Sequence, residues 1–198
     1  MDQAEELRNV IKKQNQRTKK PARIITVTSG KGGVGKSNIA VNLAVQFQRM
    51  GLKTIIFDAD IGLANVEVMF GTIPQYSLND LIYHDKEIED IITDGPEGVG
   101  FISGGSGIMG LSNLTLDQIS YLVKSVEKLS VIADIVIVDT GAGISDSVME
   151  FVASSPEILL VTTPEPSSLT DAYSLLKMLY RNPKYDKNCL LYTSDAAD

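Results

Sequence analysis

The sequence predicts an α/β fold in which a mostly parallel, twisted sheet carries helices on both faces. Three short segments are largely apolar and read as buried strands: Ile24–Thr28, Thr54–Asp58 and Ile135–Asp139. Strands of this kind are typical of parallel sheets that are covered on both sides. Amphipathic helical patterns alternate with them along the chain, which is the order that helix-linked parallel strands require.

The remaining elements follow from hydrophobic spacing and from helix-ending residues. The first helix, Lys36–Met50, has Ile39, Leu43 and Phe47 on one face, and Gly51 ends it. After the second strand we expect, in order, short helical pieces near Leu78–Ile82 and Ile88–Ile91, a strand at Val99–Ile102, a mobile glycine-rich loop at Gly104–Gly110, a helix at Leu116–Leu129, the strand at Ile135–Asp139, a helix near Asp146–Ala153, a strand at Ile158–Thr162 and a helix at Leu169–Tyr180.

Composition restricts the class of protein. The chain has 198 residues, of which 43% are hydrophobic and 22% charged, so it suits one domain with a substantial core. No apolar run approaches the roughly 18–20 residues of a membrane-spanning helix. The first residues are polar, unlike a secretory signal, and the single cysteine, Cys189, cannot form a cysteine cluster. We therefore expect a cytoplasmic protein.

Charge is distributed unevenly. Residues 1–23 contain seven basic and three acidic side chains, a local charge of +4. Because the whole chain has a net charge of −7, the remaining residues carry −11. An acidic body argues against nucleic acid as a partner. We expect residues 1–22 to form a flexible basic leader, which either remains solvated or contacts an anionic surface or an acidic partner.

The segment between the first strand and the first helix carries the clearest motif. It fits the pattern G-x-x-x-x-G-K-[ST] with Gly30, Lys31, Gly32, Gly33, Val34, Gly35, Lys36 and Ser37. Glycines in such a P-loop let backbone N–H groups converge on phosphate oxygens, and the following helix adds the positive end of its dipole. Lys36 is then expected to reach the β- and γ-phosphates, and the Ser37 hydroxyl to ligate Mg²⁺. The motif predicts that residues 23–198 form a P-loop domain that binds ATP and Mg²⁺.

Acidic residues follow the second and third of the strong strands. Ligands of open parallel sheets bind outside the carboxyl ends of the strands, which is where Asp58, Asp60 and Asp139 fall. Asp60 is the better candidate to position an attacking water, while Asp58 either caps a turn or supports the metal. Asp139 is the candidate that holds Mg²⁺ through water. Thr140–Gly143 is a segment that can move when the γ-phosphate leaves.

Lys31 is an unusual residue so early in the loop. Spacing alone favours a solvated loop lysine. The functional alternative is that Lys31 crosses to the nucleotide of a second subunit and stabilises charge in the transition state, as an arginine finger does.

Five segments resemble the MinD/ParA-type ATPases, which carry a deviant form of the P-loop. These are the loop at 31–37, a switch I segment at 57–65 that resembles the MinD branch, a switch II segment at 138–144, a further MinD-like segment at 163–172, and the start of the leader. The leader resembles the activator motif of the FlhG (YlxH) branch, which controls flagellar number and placement; its matching residues are Asp2, Gln3, Ala4, Leu7 and Arg8.

The resemblance implies an ATP-dependent homodimer in which Lys31 reaches across, Asp60 orients water and Glu165–Asp171 lies near the dimer face. It also implies that the leader inserts Gln3 into the active site of the SRP-type GTPase FlhF and stimulates GTP hydrolysis. The full-length protein is expected to bind an anionic membrane surface reversibly. The alternatives are a regulatory module whose own hydrolysis is incidental, and a relative that positions another cargo, either the cell-division site or DNA.

The match to these proteins weakens near the carboxyl end. Residues 188–191 begin to resemble a strand that, in the family, ends in an adenine-contacting Asn, and residues 192–198 do not match it. We therefore expect an incomplete P-loop domain that lacks this strand end and a later amphipathic membrane-targeting helix.

Overall fold

The computed structural model describes residues 21–105, 114–182 and 188–193. Seven strands in these ranges form one sheet: β1 Arg23–Ser29, β2 Thr54–Ala59, β3 Thr93–Asp94, β4 Gly100–Ile102, β5 Ile135–Ala142, β6 Glu157–Thr162 and β7 Asn188–Thr193. Six α-helices connect them: α1 Lys36–Arg49, α2 Asn65–Phe70, α3 Leu78–Tyr83, α4 Leu116–Leu129, α5 Asp146–Ser154 and α6 Pro166–Arg181. Short 3₁₀ turns cover Ile88–Ile91 and Pro96–Gly98.

The strands lie in the order β3-β4-β2-β5-β1-β6-β7. Every neighbouring pair is parallel except β3 and β4, which are antiparallel. In the register of β2 and β5, Asp58 lies beside Asp139. The register of β1 and β5 places Val27 beside Asp139, three residues before Gly30. The sheet therefore brings the carboxyl ends of β1, β2 and β5 to one edge.

Helices cover both faces of the sheet, as predicted. Because side chains alternate along a strand, Phe57 faces α4 and α5 while its neighbour Ile56 faces α1. Phe57 stacks at a tilt on Phe151 of α5 with 5.7 Å between ring centroids. On the opposite face Phe101 packs in the same apolar cluster as the helix α1. The P-loop is therefore attached to a sheet that is buried on both sides.

The predicted elements are confirmed, with differences at several ends. Helix α6 begins at Pro166 rather than at Leu169, because proline fits the first turn of a helix, where its missing N–H is not needed. Strand β5 continues three residues past Asp139, so most of the segment predicted to move belongs to the sheet. Helix α2 was not predicted: it has six residues, of which only Val66 is buried, and so lacks a helical stripe.

Two expectations fall outside the described residues. Residues 1–20 of the leader predicted at 1–22 are one, and most of the glycine-rich loop, from residue 106, is the other. The division into a leader and a P-loop domain thus stays a prediction, although β1 does begin at Arg23.

Strand β7 extends the sheet beyond β6, and the pairing runs from Asn188 to Thr193. Its Leu190 and Leu191 are more than half exposed. Across the ranges that the structure describes, no helix combines the length and the apolar character needed to cross a membrane.

Candidate nucleotide site

The glycine loop turns the chain from the end of β1 into the first turn of α1. Gly33 and Gly35 have φ values of 79° and 90°, in the left-handed region that residues with a side chain rarely adopt. Gly35 immediately precedes Lys36, the first residue of α1, and no acidic side chain occupies the first turn of this helix. The amides of a helix start have no partner within the helix. The loop thus presents backbone N–H groups and the positive end of a helix dipole, which suit an anion.

Gly30 is required for a different reason, a close approach of backbone to backbone. A Cβ atom at this position would lie 2.3 Å from the carbonyl carbon of Asp171 in α6 and 2.4 Å from its oxygen. Only a residue without a side chain allows this contact. The loop is consequently held between two helices, α1 at its end and α6 at its start.

A cleft of about 960 Å³ opens in front of the loop. It is lined by the first turn of α1, with Lys36 and Ser37, and by the ends of β2 and β5, with Asp60 and Gly141. The volume lies within the range of small-molecule sites in proteins, roughly 300–1,000 Å³. Lys36 is only 7% exposed, so its charge is held in the site rather than in solvent.

Asp139 is completely buried in β5, and neither of its carboxylate oxygens accepts a hydrogen bond of ordinary length from the residues described. Burial raises the pKa of Asp139 to about 6. The nearby Ser37 hydroxyl and Lys36 ammonium favour the charged form and so act in the opposite direction, lowering this pKa. A buried carboxylate that accepts no hydrogen bond of ordinary length is costly unless cations compensate its charge. A hydroxyl and a carboxylate supply the oxygen ligands that Mg²⁺ prefers. Ser37 and Asp139 therefore fit the predicted magnesium site.

The described residues contain no group of three or more His, Cys, Asp or Glu side chains that could enclose a metal ion. In phosphate sites Mg²⁺ is usually held by one or two carboxylates together with water and substrate phosphates.

Asp58 is equally buried but has partners. Its two oxygens accept hydrogen bonds from the backbone N–H groups of Asp60 and Val66, both at 3.1 Å. Burial is the main reason that the pKa of Asp58 is raised to about 8, and the charge of Asp139 adds to it. Neither Asp58 nor Asp139 lines the cleft, but Asp139 has Ser37 and Lys36 of the glycine loop as neighbours, whereas the neighbours of Asp58 are Val66, Asp60 and Asp139 itself. Of the two roles left open by the sequence, the geometry favours the one in which Asp58 holds a turn and the start of α2.

Asp60 lies in the cleft, where two neighbours orient its carboxylate. Oδ2 accepts a hydrogen bond from Asn65 Nδ2 at 2.8 Å. Oδ1 faces Gly141, since a Cβ atom on this glycine would lie 3.1 Å from it. Asn65 was not among the predicted site residues. The only signal for it in the sequence was its place at the end of the switch I segment.

Lys31 lies apart from the other predicted residues. Its Nζ donates hydrogen bonds to the Glu165 carboxylate and, at 3.0 Å, to Ser167 Oγ, and it does not line the cleft of its own chain. Both partners belong to the start of α6, in the segment expected near the dimer face. The structure thus brings Gly32–Ser37, Asp60 and Asp139 together but not Lys31. The leader residues Asp2, Gln3, Ala4, Leu7 and Arg8 lie outside the described residues.

A comparison with protein families assigns the chain. Residues 20–183 match the ParA family model described as "NUBPL iron-transfer P-loop NTPase". The chain belongs to the ParA/MinD family of P-loop NTPases. The words "iron-transfer" in that description refer to NUBPL. The chain described here has a single cysteine.

Two relatives in this family are identical to the chain at more than a third of the aligned residues. The chain is 43% identical to the antiactivator FleN of Pseudomonas aeruginosa over 82% of its own length and 58% of that protein. It is 37% identical to the flagellum site-determining protein YlxH of Helicobacter pylori over 91% of its own length and 63% of that protein. The chain thus spans less than two thirds of the length of these relatives.

A solved structure in the family has the same fold. The septum site-determining protein MinD of Pyrococcus horikoshii, determined with Mg-ADP, matches 86% of this chain and 69% of its own, with a TM-score of 0.73 and 28% identity. The predicted P-loop fold is confirmed by this ParA/MinD neighbour.

The contact between Gly30 and α6 leads to a stability prediction. Gly30→Ala should lower the free energy of unfolding by about 2 kcal/mol or more, since the new methyl group meets a helix backbone that cannot move cheaply. Gly32→Ala is the matched control, because its Cβ would meet nothing nearer than 3.9 Å. We expect that substitution to change stability by about 0.5 kcal/mol at most. Chemical denaturation without nucleotide measures both, and equal stabilities would contradict the proposed contact.

Proposed function

We propose that this chain is the ATPase part of an FlhG-type regulator of flagellar number and placement, in which bound ATP drives formation of a homodimer. The observation that carries the ATPase assignment is the buried carboxylate of Asp139, which accepts no hydrogen bond of ordinary length and lies beside Ser37 and Lys36 at the end of a glycine loop. The flagellar assignment is favoured by 37% identity to YlxH, which is named as a flagellum site-determining protein, against 29–32% for septum site-determining MinD proteins.

The nucleotide-binding residues have separate tasks in this proposal. The amides of Gly30–Ser37 hold the triphosphate, and the Lys36 ammonium lies against its β- and γ-phosphates. Ser37 would ligate Mg²⁺ directly, and Asp139 would hold it through a bound water. The metal, when bound, offsets phosphate charge. Asp139 is mostly ionised at neutral pH even with its pKa raised to about 6, so its charge is available for this task.

Asp60 orients the water that attacks the γ-phosphate. One carboxylate oxygen is held by Asn65, and the other faces Gly141 at the rim of the cleft. Holding the carboxylate in one orientation reduces the freedom of the water that it binds, which is a main source of catalysis in phosphoryl transfer.

A second copy of the chain supplies Lys31. The bonds of Lys31 to Glu165 and Ser167 are exposed, so exchanging them for a phosphate of the partner costs little. Apolar side chains also surround the cleft in solvent: Leu63 is 65% exposed, Val68 74% and Ile144 46%. Exposed apolar groups around a binding site are typical of surfaces that a partner covers.

Lys31→Ala should keep the affinity for Mg-ATP but lower kcat by about a hundredfold or more, the scale on which residues that contact transition-state charge act. Nucleotide binding and phosphate release measured on the same preparation separate the two effects. Lys53→Ala removes an exposed lysine at the start of β2, at the other end of the sheet, and should change neither. Unchanged turnover in Lys31→Ala would refute the role in trans.

The leader gives the protein a second activity in this proposal. Residues 1–22 carry the activator motif and stimulate GTP hydrolysis by FlhF through Gln3. The proposal rests on the motif and on the similarity to YlxH. The complete protein is cytoplasmic and binds anionic membranes reversibly; this part rests on the resemblance alone, and sedimentation with anionic vesicles with and without Mg-ATP tests it.

A synthetic peptide of residues 1–22 should raise the GTPase rate of FlhF without the rest of the chain, and the Gln3→Ala peptide should not. The matched control is a Gln14→Ala peptide, which changes the same residue type outside the motif. If the wild-type peptide has no effect, the FlhF half of the proposed function is wrong while the ATPase half stands.

A further inference from the structure

Ser103 joins three separate parts of the fold. It follows β4 directly and is completely buried. Its hydroxyl donates a hydrogen bond to Glu67 Oε2 in α2 at 2.6 Å and accepts one from the N–H group of Gly105 at 3.1 Å. Its carbonyl accepts a hydrogen bond from the N–H group of Leu78 at the start of α3. A hydroxyl bonded to a carboxylate makes one of the stronger hydrogen bonds in proteins.

Glu67 belongs to the turn of α2 that holds the water-orienting residue. Three consecutive residues there are each anchored: the Asn65 side chain to Asp60, the Val66 N–H to Asp58, and the Glu67 carboxylate to Ser103. The first two contacts lead to the end of β2, and the third leads across to the end of β4. The start of α2 is therefore held from two neighbouring strands.

Helix α2 depends on these polar contacts because its apolar packing is confined to two side chains, Val66 and Phe70. It has six residues, too few to be stable alone. Val66 is its one buried side chain, Phe70 packs edge-on against Phe101 with 5.4 Å between ring centroids, and Val68 is 74% exposed. Most helices are held by a packed apolar face. For α2 the hydrogen bonds at its first turn add to the contacts of Val66 and Phe70.

The loop after β4 also lies directly against the backbone that carries Asp60. A Cβ atom on Gly104 would come within 3.0 Å of the Asp58 carbonyl oxygen and 3.2 Å of the Asp60 carbonyl oxygen. A shift of Ser103 would therefore disturb Asp60 by two routes, through the backbone next to Gly104 and through α2.

We propose that Ser103 is a positioning residue for ATP hydrolysis, which acts through Glu67 and the first turn of α2 to hold Asn65 and Asp60 in the orientation that water attack requires. Ser103 does not line the cleft, so its effect is on turnover rather than on nucleotide binding. This inference rests on the role proposed above for Asp60.

Steady-state kinetics of the chain test it. Ser103→Ala should lower kcat about tenfold, the scale of one hydrogen bond to a charged group, and leave KM for Mg-ATP within about threefold. Ser125→Ala is the matched control: it removes another buried serine hydroxyl, whose partner is a backbone carbonyl in α4, and should keep kcat.

Variants of Glu67 examine the same bond from its other end. Glu67 is only partly buried, so these variants are expected to fold even where Ser103→Ala does not. Glu67→Ala should lose as much kcat as Ser103→Ala, and Glu67→Gln, which keeps an acceptor oxygen, should recover most of it. The double variant Ser103→Ala/Glu67→Ala should be no slower than either single variant, because both remove one interaction.

Hydrogen exchange of the α2 amides reports on the contact without catalysis. Ser103→Ala should speed exchange over residues 65–70 at least about tenfold, and Ser125→Ala should not. A wild-type chain that does not hydrolyse ATP would overturn the proposed function and the catalytic role of Ser103 together. An active wild-type chain whose Ser103→Ala variant keeps both its kcat and slow exchange in α2 would overturn this inference alone.

Discussion

The functional residues depend on one constraint, the parallel pairing of β1, β5 and β2 with their carboxyl ends at a single edge. Their register places Asp139 between Val27 and Asp58, so the start of the glycine loop and both buried aspartates are fixed by main-chain hydrogen bonds. Parallel neighbours need a crossover, and the helices that provide it bury both faces of the sheet. The edge where the strands end is therefore the place where polar groups can gather around a ligand.

Two buried carboxylates at this edge differ in the hydrogen bonds that they accept. Asp58 and Asp139 are both fully buried, and burial raises the pKa of each. Asp58 accepts two backbone hydrogen bonds and stabilises the start of α2, whereas Asp139 has no such bond. Leaving one buried carboxylate without partners lowers the stability of the fold, and functional sites are where proteins keep such groups. The contrast separates the structural aspartate from the one available to a metal.

The parts that could be predicted from sequence are those with a local signal. Strands β1, β2 and β5 are short apolar segments, the loop has fixed glycine spacing, and Asp139 follows an apolar run. The partners of Lys31 could not be predicted, because Glu165 and Ser167 are more than 130 residues away. Helix α2 and its contact with Ser103 left no pattern either, since a six-residue helix with one buried side chain has no periodicity. Tertiary hydrogen bonds, rather than propensity, hold these parts.

The account depends on a triphosphate held by the amides of a strand-to-helix loop together with a metal held by Ser37 and Asp139. Calorimetric titration of the folded chain with ATP tests this claim most directly. We predict saturable binding of one nucleotide per chain that requires Mg²⁺ and is lost in Lys36→Ala. The account would be contradicted by a wild-type chain that unfolds cooperatively, and so is folded, yet gives no heat of binding on titration with Mg-ATP and is not stabilised by Mg-ATP against thermal unfolding.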